Sequence, residues 1–280
     1  MRALIFGAKG QLGRDLMRVF HSAGEVQGHD LPEVDITDES ALYPIVNEFA
    51  PTIIVNAAAY TDVEAAEDDL ERAFLVNEAG ARNAATLAAY NQVPILYFST
   101  DFVFNGESDV PYPPDAPIAP ASVYGRSKAA GEAATRKANP HHFIVRTAWL
   151  YGPGGNNFVE KILAAAATRP ELQVVEEEIG SPTHTLDLAE AAFYLARTEA
   201  YGIYHGVNRG ACSRYELAVE ILRIAGRGTR VTPCAADAFP TRAPRPKYSV
   251  LDPTSLEAVT NHRMRPWREA LRDYMSRRES

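Results

Sequence analysis

The first thirteen residues do most to fix what this chain can become. Arg2-Ala3-Leu4-Ile5-Phe6 is a short apolar run that stops at Gly7-Ala8-Lys9-Gly10-Gln11-Leu12-Gly13, and a helix-like stretch runs on from Leu12 to Phe20. That order reads as strand, tight turn, helix. Small residues in such a turn let backbone N–H groups approach a pyrophosphate at the helix N-terminus, where the helix dipole favours an anion. A glycine triplet elsewhere would be an ordinary turn; directly behind a first strand, Gly7, Gly10 and Gly13 point to a dinucleotide.

The alternation continues. Glu25 to His29 can form a second strand ending at Asp30, and Asp38-Glu39-Ser40 opens a helix that carries through Phe49 and stops at Pro51. Thr52 to Asn56 is β-branched and continuous, as a strand buried on both faces should be. Leu70 to Tyr90 has helical alanine and leucine spacing, and Pro94 to Phe98 supplies another strand. A Pro-, Asp- and Gly-rich loop from Asn105 to Pro120 precedes a helix starting near Ser122, followed by a strand from Phe143 to Trp149 and a helix from Phe158 to Thr168. Repeated strand and helix imply α/β architecture: a Rossmann-type doubly wound parallel sheet. Beyond about Tyr151 the pattern loosens into Leu172–Val175, Leu186–Thr198, Gly202–Val207 and Ser213–Ala225. The expected division is a dinucleotide-binding domain over 1–150 and a smaller C-terminal substrate-binding lobe over 151–280, with segments able to interleave.

Composition narrows the partners. A formal net charge of -8 argues against nucleic acid or an anionic membrane as the main partner, since both select a concentrated basic surface. No apolar stretch reaches the ~18 residues a membrane span needs, so a soluble, cytoplasmic protein is expected. Cys212 and Cys234 stand without a Cys/His cluster, and the seven histidines are scattered, so no metal is assigned to them.

Tyr124 and Lys128 are spaced i and i+4, which puts a phenol and an ammonium on one helix face. An ammonium beside a phenol lowers its pKa and makes the tyrosine a usable proton donor and acceptor. Ser99-Thr100-Asp101 ends a strand, where hydroxyls can hold a reacting carbonyl oxygen; alone it would be a simple turn. Asp30 is placed to accept hydrogen bonds from an adenosine ribose, which disfavours a 2′-phosphate, or else is a solvated turn residue. Asp35-Ile36 either meets an adenine or caps the following turn. The small residues from Ala57 to Thr61 either let the dinucleotide lie against the backbone or pack the core. Trp149 offers a flat surface for a sugar or base, Asn156-Asn157 suits capping or a pyrimidine, and Arg242 and Arg245 either pair with a diphosphate or are merely exposed.

At these residues the chain resembles the extended short-chain dehydrogenase/reductase superfamily and, within it, the dTDP-4-dehydrorhamnose reductase family. The similarity covers almost the whole length. Its most specific parts are Gly7 to Gly13, Asn56 to Thr61, Ser99 to Phe104, Tyr124 to Lys128 with Gly131-Glu132, Arg146 to Trp149, Gly155 to Phe158 and Gly180 to Thr183. The resemblance implies NADPH- or NADH-dependent reduction of the 4-keto group of a dTDP-deoxyketosugar, the last step of dTDP-L-rhamnose synthesis. Carried over by position, Tyr124 donates the proton, Lys128 holds the nicotinamide ribose and tunes Tyr124, and Thr100 polarises the keto oxygen. Asp101, Trp149 and Asn157 meet the substrate, while Gly7, Gly10, Gln11, Leu12, Gly13, Asp30, Asp35, Ile36, Ala59, Tyr60, Thr61 and Phe98 line the dinucleotide. Asp30 leans toward NADH. Phe102, Asn105 and Ala148 depart from the family's usual tyrosine, aspartate and serine, which leaves the sugar open. Some members form homodimers with Mg2+ at the interface, and nothing in this sequence assigns ligands for it. The same core also serves epimerases, dehydratases and a non-catalytic regulatory subunit of methionine adenosyltransferase; the intact Thr100, Tyr124 and Lys128 set favours a reductase.

Overall fold

The structure, a computed structural model, describes residues 1–278. Six strands form one parallel sheet: β1 (Arg2–Phe6), β2 (Glu25–His29), β3 (Ile53–Asn56), β4 (Ile95–Thr100), β5 (His142–Thr147) and, after four short strands, β10 (Gly202–His205). Those four are β6 (Leu150–Tyr151), β7 (Glu171–Val175), β8 (Ile179–Gly180) and β9 (Thr183–His184). The spatial order is β10-β5-β4-β3-β1-β2. Chain order therefore reverses between β1 and β3, and a ligand crevice opens at the carboxyl ends of strands flanking such a point.

Helices cover both faces: α1 (Gln11–His21), α2 (Glu39–Phe49), α3 (Val63–Ala66), α4 (Leu70–Phe74), α5 (Ala81–Tyr90), α6 (Val123–Ala138), α7 (Phe158–Ala166) and α8 (Thr185–Leu195). One apolar layer joins α1 and α8 to the sheet through Leu16, Phe20, Leu188 and Phe193, with the two phenylalanine rings edge to face at 5.4 Å. The opposite layer packs Leu42, Val46, Ala84 and Leu87 on β1 and β3. Local chemistry starts these helices: Asp38 accepts Ser40 N at 3.0 Å, and Ser122 accepts Gly125 N at 3.0 Å to cap α6.

Residues 151–278 do not all leave the sheet. Although they lie past the expected boundary at 150, α8 and β10 belong to the central layers, with β10 adding a sixth strand beside β5. The second lobe is built on β7 paired with β12 (Arg230–Cys234), together with α7, α9 (Arg214–Ile224) and α11 (Trp267–Arg278); the chain also carries β11 (Cys212–Ser213) and α10 (Thr254–Thr260). Trp267 and Leu271 on α11 are buried against Leu217 and Ile221 on α9, and Ser213 and Glu216 close a capping box at the start of α9.

Leu70–Tyr90 is not one regular helix. A π turn, Leu75–Gly80, separates α4 from α5. It carries Asn77, whose amide donates to Tyr60 O at 3.1 Å and to Ser127 Oγ at 2.9 Å and accepts Tyr60 N at 2.9 Å. The widened turn thus ties the wall of the crevice to α6, a use typical of π turns near functional sites. Among the described residues no helix is long and apolar enough to cross a membrane.

Candidate active site

Two adjoining cavities lie in the crevice. The first, of about 510 Å³, is lined by Gly7, Gly10, Gln11, Leu12, Gly13, Asp30, Asp35, Ile36, Ala59, Thr61, Phe98, Thr100, Asp101, Tyr124, Lys128 and Trp149. The chain thus gathers on one space sixteen residues singled out from sequence. Two others stand apart. Tyr60 does not line it and contributes its backbone to Asn77. Asn157, expected at the substrate, does not line it: its Nδ2 donates to Gly152 O at 3.1 Å and to Oε1 of the cavity residue Gln11 at 3.5 Å, and its Oδ1 caps α7 through Glu160 N at 3.2 Å.

The glycine loop is shaped for close approach. Gly7 has φ +81°, and a Cβ at Gly13 would stand 2.0 Å from Gly7 O. Any larger residue there would displace the turn between β1 and α1. Asp30 accepts Lys9 N at 2.8 Å and Leu31 N at 2.8 Å, which fixes its carboxylate at the end of β2. Asp35 lines the cavity, and it holds the turn by accepting Thr37 N at 2.9 Å.

At the ends of β4 and α6 the chemistry converges. Burial pushes the Tyr124 phenol up to about 12, partly opposed by the Thr100 hydroxyl and reinforced by the Asp101 charge. Burial also brings Lys128 down to about 7, with Glu132 opposing. Lowering of the phenol's pKa by the amine, as the spacing suggested, is therefore not what governs this site. Lys128 Nζ instead donates to Phe98 O at 2.7 Å. The result suits proton donation, because the phenol keeps its hydrogen at neutral pH. Thr100 Oγ1 donates to Asp101 Oδ1 at 3.0 Å and accepts Phe102 N at 3.2 Å.

Asp101 is 2% exposed, and burial lifts its carboxyl from 3.8 to about 6 against the pull of Ser249, Thr100 and Arg214. Its Oδ2 and Ser249 Oγ are buried without an aligned hydrogen bond among the described residues. A folded-state pKa raised in this way favours the protonated native form, so this contribution is fully present below the ordinary value and is lost as pH rises through about 6. Asp101→Asn is accordingly expected to gain stability over the parent between pH 4 and 7, by on the order of 2–3 kcal/mol, in denaturant titrations at each pH. A difference independent of pH would contradict the assignment.

Trp149 closes the site over β5 in a left-handed backbone conformation, φ 47°. Non-glycine residues rarely adopt it, and such strain gathers at ligand sites. Gly180 makes the room, since a Cβ there would lie 2.4 Å from the indole. Arg214, which the sequence did not single out, stacks its guanidinium 3.5 Å from the indole centroid and lines both cavities. No local pattern marks it: it sits at the start of a capped helix and reaches the site only through the fold. The second cavity, of about 530 Å³, runs on from Trp149 past Asn156, Phe158, Gln173, Glu178 and Arg245. Arg245 also pairs with Glu64 at 3.0 Å, and Arg242 pairs with Asp68, so the loop carrying both is fastened to the segment around α3. Among the described residues no group of three His, Cys, Asp or Glu side chains is placed to hold a metal ion.

The whole chain, residues 1–280, matches the RmlD substrate binding domain. It is 41% identical to the spore coat polysaccharide biosynthesis protein SpsK of Bacillus subtilis (strain 168), covering 100% of this chain and 98% of that one. It is 40% identical to a dTDP-4-dehydrorhamnose reductase of Streptomyces griseus over 96% and 91% of the two chains. A crystal structure of dTDP-4-dehydrorhamnose reductase from Bacillus anthracis str. Ames in complex with NADP superposes with a TM-score of 0.95 at 37% identity, covering 99% of each chain.

Proposed function

This chain belongs to the RmlD substrate binding domain family, and from that footing we propose that it reduces the 4-keto group of a dTDP-6-deoxy-4-ketohexose, with dTDP-4-dehydrorhamnose as the substrate and dTDP-L-rhamnose as the product. One observation carries the reading: Thr100, Tyr124 and Lys128 face the same cavity as the glycine loop. A nicotinamide dinucleotide, when bound, supplies the hydride. The turn through Gly7, Gly10 and Gly13, so tight that a Cβ at Gly13 would strike Gly7 O, fits close approach of its pyrophosphate to the backbone, and Asp30 fits its adenosine ribose.

The chain's own groups do the rest. Tyr124, protonated at neutral pH, gives its hydrogen to the keto oxygen as charge develops there. Thr100 turns its hydroxyl from Asp101 toward the same oxygen. Lys128 spends one donor on Phe98 O and keeps others for the nicotinamide ribose hydroxyls. The unpartnered Asp101 Oδ2 suits a sugar hydroxyl, and Trp149 covers the apolar face of the ring. Arg214 and Arg245, where the two cavities meet, suit the diphosphate, and the second cavity suits the thymidine.

The test is loss of reduced-nicotinamide absorbance with a panel of dTDP-4-ketohexoses. Turnover fastest with the rhamnose precursor is expected; turnover with another member alone would reassign the sugar, and none at all would refute the reductase. In the same assay the parent should favour NADH, and Asp30→Asn should shift the NADPH-to-NADH ratio of kcat/KM upward by about tenfold, because it removes a charge that opposes the 2′-phosphate. An unchanged ratio would detach Asp30 from the ribose.

A further inference from the structure

We propose that Tyr97 is a positioning residue for Lys128: its ring face lies beneath the ammonium and holds that side chain charged and aimed along the cleft. The proposal rests on the reading of Lys128 given above. Lys128 Nζ stands 4.2 Å from the Tyr97 ring centroid, and the two residues are 3% and 1% exposed. A cation over an aromatic face is held most strongly where water is excluded, as here.

The ring is itself located by three elements. It belongs to β4; its hydroxyl donates to Asn77 O in the π turn at 3.3 Å; and it packs on α6 where Gly131 leaves room. A Cβ at Gly131 would meet Asn77 O at 2.2 Å and Tyr97 Oη at 2.4 Å. The irregular turn, the glycine one helical turn past Lys128 and the tyrosine therefore form one support beneath the amine.

The ionisable groups around this support leave the amine short of other partners. Glu132 lies one turn along α6 and acts on both Lys128 and Tyr97, but its two oxygens are taken by Arg146 of β5 at 2.8 Å each. Tyr124, also on α6, stays protonated, as does Tyr97, which burial pushes far up. The π turn offers Asn77, a neutral amide. Burial alone would strip the proton from Lys128 near neutral pH, and the electron-rich ring opposes that.

Only five lysines, Lys9, Lys128, Lys137, Lys161 and Lys247, occur in the chain. Protein labelled with 13C at lysine Cε, with the Lys128 signal assigned by its loss in Lys128→Met, gives the titration midpoint directly by NMR without substrate or cofactor. Tyr97→Phe keeps the ring face and should leave the midpoint unchanged. Pentafluorophenylalanine in place of Tyr97 keeps the shape but reverses the polarity of the face, and should lower the midpoint by about one pH unit. Tyr97→Leu should lower it in the same direction. A midpoint that stays put in the fluorinated chain, or in a folded Tyr97→Leu chain that has only lost thermal stability, would overturn the proposal in favour of plain packing. Because the titration needs no turnover, failure to reduce any ketosugar would sink the proposed function and leave this result standing.

Discussion

Tyr124→Phe is expected to bind the dinucleotide almost as the parent does and to turn over about 10²–10⁴-fold more slowly, the usual worth of a placed proton donor. The substitution keeps the ring, which meets Phe102 edge to face at 5.6 Å, and removes only the hydroxyl beside Thr100. Burial holds that phenol well above the physiological range, at about 12. It is therefore a donor at any ordinary pH, and the loss should be nearly constant between pH 6 and 9. Cofactor affinity by fluorescence quenching and single-turnover rates with the ketosugar separate the two effects. Parent-like turnover would move the proton donor elsewhere.

The largest stability effect should come from a buried pair that does not itself line the cavity. Arg146 Nε and Nη2 reach Glu132 Oε1 and Oε2, each at 2.8 Å, and Arg146 Nη1 donates to Pro114 O at 2.9 Å. The side chains are 3% and 5% exposed. Glu132→Ala strands a guanidinium in the interior and should cost about 3–5 kcal/mol of unfolding free energy. An exposed pair gives the contrast: Arg230 and Glu171 stand 3.7 Å apart with 76% and 49% of their side chains exposed, so Glu171→Ala should cost under about 1 kcal/mol. Denaturant midpoints of the two variants decide the matter, and equal losses would contradict it. Because Arg146 also grips the 105–120 loop through Pro114, Glu132→Ala should loosen that loop as well.

What the sequence made legible was local. The turn from β1 to α1 is dictated by adjacent residues, and the placement of Tyr124 and Lys128 on one face follows from helix geometry alone. Sites at strand ends were legible for the same reason, since a buried parallel strand announces itself as an apolar run and its polar end, as at Ser99-Thr100-Asp101, marks the rim of the sheet. The features that escaped depend on distant chain segments. Arg214 meets Trp149 across 65 positions, Ser249 meets Asp101 across nearly 150, and β10 joins β5 only after the second lobe has begun. The π turn at Leu75–Gly80 leaves no imprint on alanine and leucine spacing, because it answers to Tyr60 and Ser127 rather than to its own neighbours. Asn157 shows a related ambiguity: capping and pyrimidine binding ask for the same amide, which here bonds Gly152 O and caps α7. Ionisation was the least legible property, because the i,i+4 spacing carries the attraction between Lys128 and Tyr124 but not the burial that outweighs it.

The most direct test follows a single atom. With the nicotinamide deuterated at the transferred position of C4 and the dTDP-4-ketohexose unlabelled, mass spectrometry and NMR of the product should find one deuterium on the sugar, at C4, with one equivalent of dinucleotide oxidised. A product carrying no deuterium, or a sugar epimerised without net oxidation of the dinucleotide, would contradict the hydride transfer to which this cleft has been assigned.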